Sequence, residues 1–162
     1  MNTSPPLKPL GLTLEYGRRA YSLQLNSLAD LPRGFRWPSP RFTCLLLLDA
    51  ISPASASLSH FLEQLLRDGC VYLSSWGPRC EYVHDIFDET LVQLELDAGL
   101  TLGTVMTTWH HDKPLSDAVD FFALWAKPVD ELRENCDSAV LISVAHFDWA
   151  AEGERLLAKY AV

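Results

Sequence analysis

Cys80, His84 and Asp88 recur every four residues within the stretch CVYLSSWGPRCEYVHDIFDE, residues 70–89. On a helix this spacing stacks the three side chains along one side, a turn apart. A thiol beside an imidazole is the pairing that nucleophilic cysteine chemistry needs. With Gly77 as N-cap and Pro78 as first helical residue, Cys80 is expected at the third helical position. There the positive end of the helix dipole favours a thiolate. In this reading Cys80 is the nucleophile, His84 or His110 the general base, and Asp49 the group that orients it. A small buried cysteine beside a hydrogen-bonded histidine is the commoner fate of such a pair, and the two readings stand side by side.

The turn that precedes Cys80 suggests a second chemistry. Ser74-Ser75-Trp76-Gly77-Pro78 leads into a helix N-terminus, whose free N–H groups can accept a phosphate or carboxylate. The turn has no lysine, and neither G-x-G-x-x-G nor G-x-x-x-x-G-K-[ST] occurs, which argues against dinucleotide and P-loop sites. A small anionic ligand, nucleotide-like or acyl, stays open. Ser74, Ser75, Trp76, His111 and His146 are its candidate binding residues. Cys80 and His84 with His110, His111 or Asp49 would also make a tetrahedral metal set. No recognised zinc spacing is present, so neither a metal nor a cofactor is expected.

Charge points toward a different kind of function. The net charge is −8, but residues 1–41 hold six Lys and Arg against two acids, so the remaining residues carry −12. Such a body repels phosphate backbones and disfavours duplex nucleic acid. From Glu81 to Asp97 there are six acids and no Lys or Arg. Glu81, Asp85, Asp88 and Glu89 therefore form a candidate docking face for a basic protein partner. A solvated acidic helix face is the plainer explanation.

The elements that position these residues follow from periodicity. Residues 1–10, with three prolines, read as a mobile tail, and residues 11–41 as a β-hairpin followed by a Pro-rich loop. From residue 42 onward, apolar strand-length runs alternate with helical patterns. Phe42–Asp49, Cys70–Ser74, Thr104–Thr108 and Ser138–Ala145 are the expected strands. Helices are expected to open at Ser52-Pro53, Gly77-Pro78, Pro114 and Asp148. This predicts one α/β domain over residues 1–162, with a doubly wound, mostly parallel sheet of about four strands in the order 2-1-3-4 and the hairpin at one edge. Ligands on such sheets bind beyond the carboxyl ends of the strands. Asp49, Ser75, His110 and His146 would all reach that rim, with Trp76, Trp109 and Trp149 nearby.

The four cysteines have no paired metal spacing and read as reduced. No basic-then-apolar leader opens the chain, and no apolar run is long enough to cross a bilayer, so a cytoplasmic location without membrane contact is expected.

The motifs D-A-x-S-P, after the first strand, and W-G-P-x-C-E-x-x-H-D, from Trp76 to Asp85, resemble an uncharacterised family of small bacterial Rossmann-like domains of unknown function, over residues 42–147. The resemblance implies a parallel α/β fold in a bacterial cytoplasm and assigns no site residue. With no complete catalytic motif present, the leading expectation is a non-enzymatic acidic binding module for a basic protein, with an immunity- or antitoxin-type role as one instance. The alternative is a small or degenerate Rossmann-like enzyme that binds its ligand at the rim and uses Cys80.

Overall fold

The computed structural model describes residues 4–162. Its strands are β1 (Leu7–Leu14), β2 (Arg18–Leu25), β3 (Arg41–Leu47), β4 (Cys70–Trp76), β5 (Met106–Trp109) and β6 (Cys136–Val144). Its α-helices are α1 (Ser55–Asp68), α2 (Cys80–Asp97), α3 (Leu115–Leu124) and α4 (Phe147–Leu157). All six strands form one sheet in the order β1-β2-β6-β3-β4-β5. β1 pairs antiparallel with β2, and every other pairing is parallel.

The central strand, β3, shows why its sequence is apolar throughout. Phe42, Cys44 and Leu46 point to one side and join α1 and α2 through Leu58, Leu62, Val83 and Phe87. Leu45 and Leu47 point the other way and join α3 and α4 through Val119, Phe122 and Leu157. A strand covered on both faces needs apolar residues at odd and even positions alike. Gly69 ends α1 with φ 114°, and its amide donates to the carbonyls of Leu65 and Leu66. That is the left-handed cap expected of glycine there.

The strand order differs from the expected one. The four strands expected of the core run β6-β3-β4-β5, whereas the order 2-1-3-4 corresponds to β4-β3-β5-β6. β5 is short and half exposed, and it sits at an edge beside β4. β6 is nine residues long and buried along nearly all its length, and it takes an interior place between β2 and β3. Short, wet strands belong at edges and long apolar ones inside. The hairpin then attaches through β2, alongside β6.

The helix starts also shift. α1 begins at Ser55 with Ala54 as N-cap, so Ser52 does not cap it. α2 begins at Cys80 with Arg79 as N-cap, which makes Cys80 the first helical residue rather than the third. His146, not Asp148, is the N-cap of α4.

Part of the expected tail is structured, since Leu7 to Leu10 belong to β1; residues 1–3 lie outside the described residues. Pro9 is tolerated because β1 is an edge strand, where the side without a neighbour needs no N–H. No helix of the described residues is long and apolar enough to cross a membrane.

Candidate functional site

The observed strand order moves the switch point of the sheet. β3 feeds α1 on one face and its neighbour β6 feeds α4 on the other, so the two connections diverge between them. A crevice of about 350 Å³ opens there. Leu48, Pro53, Val144 and Ala145 give it largely apolar walls, while Asp49, Ser52, Ser57 and His146 supply polar groups. Ala145 holds φ 65°, a left-handed conformation that turns the chain out of β6 at the mouth of the crevice. Asp49 Oδ1 accepts from the Ile51 amide at 3.0 Å. The His146 ring stacks on Trp149 at 3.7 Å, and Trp149 meets the edge of Trp76 at 5.0 Å. A crevice of this kind can enclose a small ligand with an apolar body.

The other predicted residues form a separate group at the carboxyl ends of β4 and β5, and none of them lines that crevice. Ser74 is buried, with its hydroxyl 3.0 Å from Thr108 Oγ1. Ser75 is also buried and donates to the Cys80 carbonyl at 3.1 Å. Their hydroxyls are used in hydrogen bonds inside the protein. The indole of Trp76 donates to the Lys113 carbonyl at 2.8 Å. The His110 ring packs against Phe121 at 5.0 Å. Burial lowers the His110 pKa below the ordinary histidine value, with Asp117 opposing, so the ring is neutral near pH 7. His84 lies against Trp109, 4.3 Å between ring centres, with Nε2 3.4 Å from Asp88 Oδ2.

Cys80 reverses the expectation placed on it. Its side chain is buried, and burial pushes the thiol above the ordinary cysteine value, although the backbone N–H groups of His110, Cys80 and Glu81 pull the other way. Desolvation of the charged form outweighs the helix end. His84 makes no hydrogen bond to Cys80 among the described residues, and Asp49 sits across the rim in the other group. Asp49, the expected orienter, therefore lines a different part of the rim from Cys80 and His84.

All four cysteines are free and buried. Burial raises the thiols of Cys70 to about 12 and Cys136 to about 11, and Cys44 well above its usual value. Native protein at pH 8 should thus react slowly with a disulfide reagent such as Ellman's, and all four thiols should titrate only after unfolding. Fast labelling of Cys80 in the folded protein would restore the thiolate reading. These raised thiols favour the fold fully below the free-thiol value. That contribution is lost as pH climbs from there through about 11 at Cys136 and about 12 at Cys70.

Sequence reasoning missed the contact between Glu81 and His111. Glu81 was expected on the outward acidic face, yet its Oε2 lies 3.3 Å from His111 Nδ1 at the rim. The remaining acids of α2 do face outward, and Asp85, Asp88 and Glu89 are all exposed.

A family model described as Domain of unknown function (DUF7684) matches residues 20–160. The chain belongs to the DUF7684 family. No curated protein matches it. Within this DUF7684 chain the match begins inside β2 and runs past α4, so it takes in the crevice, the β4–β5 rim and the acidic helix.

Proposed function

We propose that this DUF7684 chain is a binding module that docks a basic protein on the outward face of α2. One observation carries the reading. Asp85, Glu89, Val92 and Leu96 follow one another at helical spacing, and this stripe is open to solvent, with Val92 53% and Leu96 78% exposed. Large apolar side chains beside unpaired carboxylates form a surface with both an apolar contact and a charge preference.

The chain's own basic residues do not neutralise it. Lys8 pairs with Glu154 of α4 at 3.0 Å, Arg18 is buried against α3, and Arg41 donates to the Glu134 carbonyl at 3.0 Å. No Lys or Arg of the described residues forms an ion pair with α2. The fitting partner is a basic amphipathic segment with Lys or Arg toward Asp85, Asp88 and Glu89 and aliphatic residues toward Val92 and Leu96. An immunity- or antitoxin-type role in a bacterial cytoplasm belongs to this reading, since such a role masks a cationic partner. The enzymatic alternative depends on a Cys80 thiolate, and burial of that thiol counts against it.

The test uses a defined Lys- and Leu-rich amphipathic peptide and fluorescence anisotropy. Wild-type protein should bind it with an affinity that falls as salt rises. Reversing Asp85, Asp88 and Glu89 to Lys should weaken binding by at least about tenfold. Leu96→Asp should weaken binding and leave the salt dependence in place. Equal binding by the charge-reversed protein would remove the proposal.

A further inference from the structure

We propose that Cys80, Glu81 and His111 form a binding site for a divalent transition metal, zinc being the best match, with Asp112 orienting the histidine. The site is distinct from the docking face and goes beyond that reading. Cys80 Sγ, a Glu81 carboxylate oxygen and a His111 ring nitrogen all lie within 4.8 Å of one another. Two ligands come from the first turn of α2 and the third from the loop after β5, so the rim itself brings them together.

A metal held between Glu81 and His111 accounts for their contact. Glu81 Oε2 is shut off from solvent and has no hydrogen-bond partner among the described residues. Yet His111 Nδ1 stands 3.3 Å away. A carboxylate oxygen and a ring nitrogen facing one another at this distance without a hydrogen bond match a shared metal. Tetrahedral zinc with bonds of about 2.05 Å to nitrogen and oxygen places those atoms about 3.3 Å apart, and sulfur about 3.6 Å from nitrogen. The carboxylate–imidazole pair already has that separation. Cys80 needs only a modest approach, which the exposed His111 loop can provide.

The surroundings suit the same role. The far nitrogen of the ring, His111 Nε2, lies 3.0 Å from Asp112 Oδ2. A metal-bound histidine commonly donates its other N–H to a carboxylate, which fixes the ring and raises its basicity. Thiolate, imidazole and carboxylate together suit zinc better than the hard cations, which take oxygen ligands. On binding, the Cys80 S–H bond breaks, the sulfur pair goes to the metal and the proton leaves to solvent. Three protein ligands leave a fourth position on the exposed side, open to water.

Cobalt(II) titration of the purified full chain reads the site directly. Wild type should take up one equivalent, with a sulfur-to-cobalt charge-transfer band in the near ultraviolet and the visible bands of a four-coordinate ion. Zinc should displace it and abolish both. Cys80→Ser should lose the charge-transfer band. In case that core substitution unfolds the chain, His111→Ala and Glu81→Gln probe the same site from its exposed side, and each should lower affinity by more than about tenfold; Asp112→Asn should lower it by about tenfold. The proposal is overturned if wild type shows no charge-transfer band at metal excess, which is the result expected of an imidazolium held between two carboxylates. It is equally overturned if the band persists at full affinity in both His111→Ala and Glu81→Gln.

Discussion

Arg18→Ala is expected to lower the unfolding free energy by about 3–5 kcal/mol, a large part of the stability of a domain this size. Arg18 is 1% exposed and has no carboxylate partner among the described residues. Its guanidinium instead donates to the carbonyls of Ala123 at 2.9 Å and Ala126 at 3.0 Å, and to Thr43 Oγ1 at 3.1 Å. Ala123 lies in the last turn of α3 and Ala126 just beyond its end, where unpaired carbonyls and the helix dipole place partial negative charge. The helix end thus serves as counter-charge for β2. Burial lowers the Arg18 pKa from its ordinary value, but a guanidinium keeps its proton near neutrality. Alanine leaves these acceptors unpaired in the interior, at about 1–3 kcal/mol each before water recovers part of the loss. Arg18→Lys should fall between the two, because one ammonium cannot reproduce the planar fork. Urea unfolding followed by tryptophan fluorescence measures it. A value for Arg18→Ala within 1 kcal/mol of wild type, about the size of an ordinary hydrogen bond, would mean that water caps α3 equally well.

Gly77→Ala should cost about 3 kcal/mol or more, from two separable causes. Gly77 has φ 125°, which L side chains rarely adopt, and a Cβ there would lie 2.2 Å from the Leu48 carbonyl oxygen and 3.0 Å from its carbon. The obstacle is backbone, so no rotamer change relieves it. It is also held in place: the Leu48 amide donates to Trp76 O at 3.1 Å and the Ala50 amide to Pro78 O at 3.0 Å. These bonds tie the end of β3 to the turn that launches α2. Gly99→Ala supplies the contrast, with φ 65° but open space around its Cβ. It should cost about 1 kcal/mol, the conformational share alone. If the two variants unfold at the same urea concentration, the close approach at Gly77 is relieved elsewhere.

Much of the local structure was legible in the residues. Alternating or continuous apolar runs marked β3, β4 and β6, because burial on one or two faces imposes a period within a few residues. Leu58, Phe61, Leu62, Leu65 and Leu66 announced the buried face of α1, and all five are buried. The helix starts were less legible. Ser52-Pro53 and Gly77-Pro78 resemble openings, yet both helices begin two residues after the proline. In each case the proline belongs to the turn, and cap residues alone do not distinguish a turn from a first helical residue. β1 was concealed by its prolines, which an edge strand admits and an interior strand does not.

The sequence by itself determined the alternation of strands and helices, the acidic outward stripe of α2, and the placing of Asp49, Cys80, His111 and His146 just past strand ends. Each of these is a matter of spacing between near neighbours in the chain. Tertiary structure decided which strand ends are adjacent, and so put Asp49 and His146 at one crevice and Cys80, Glu81 and His111 at another point of the rim. It also decided that Cys80 is buried, which pushes its thiol above the ordinary cysteine value. Both outcomes depend on residues remote in sequence. Strand order is set by which surfaces can be covered on both sides, and a pKa by the water and charge that distant elements bring to the group or take from it.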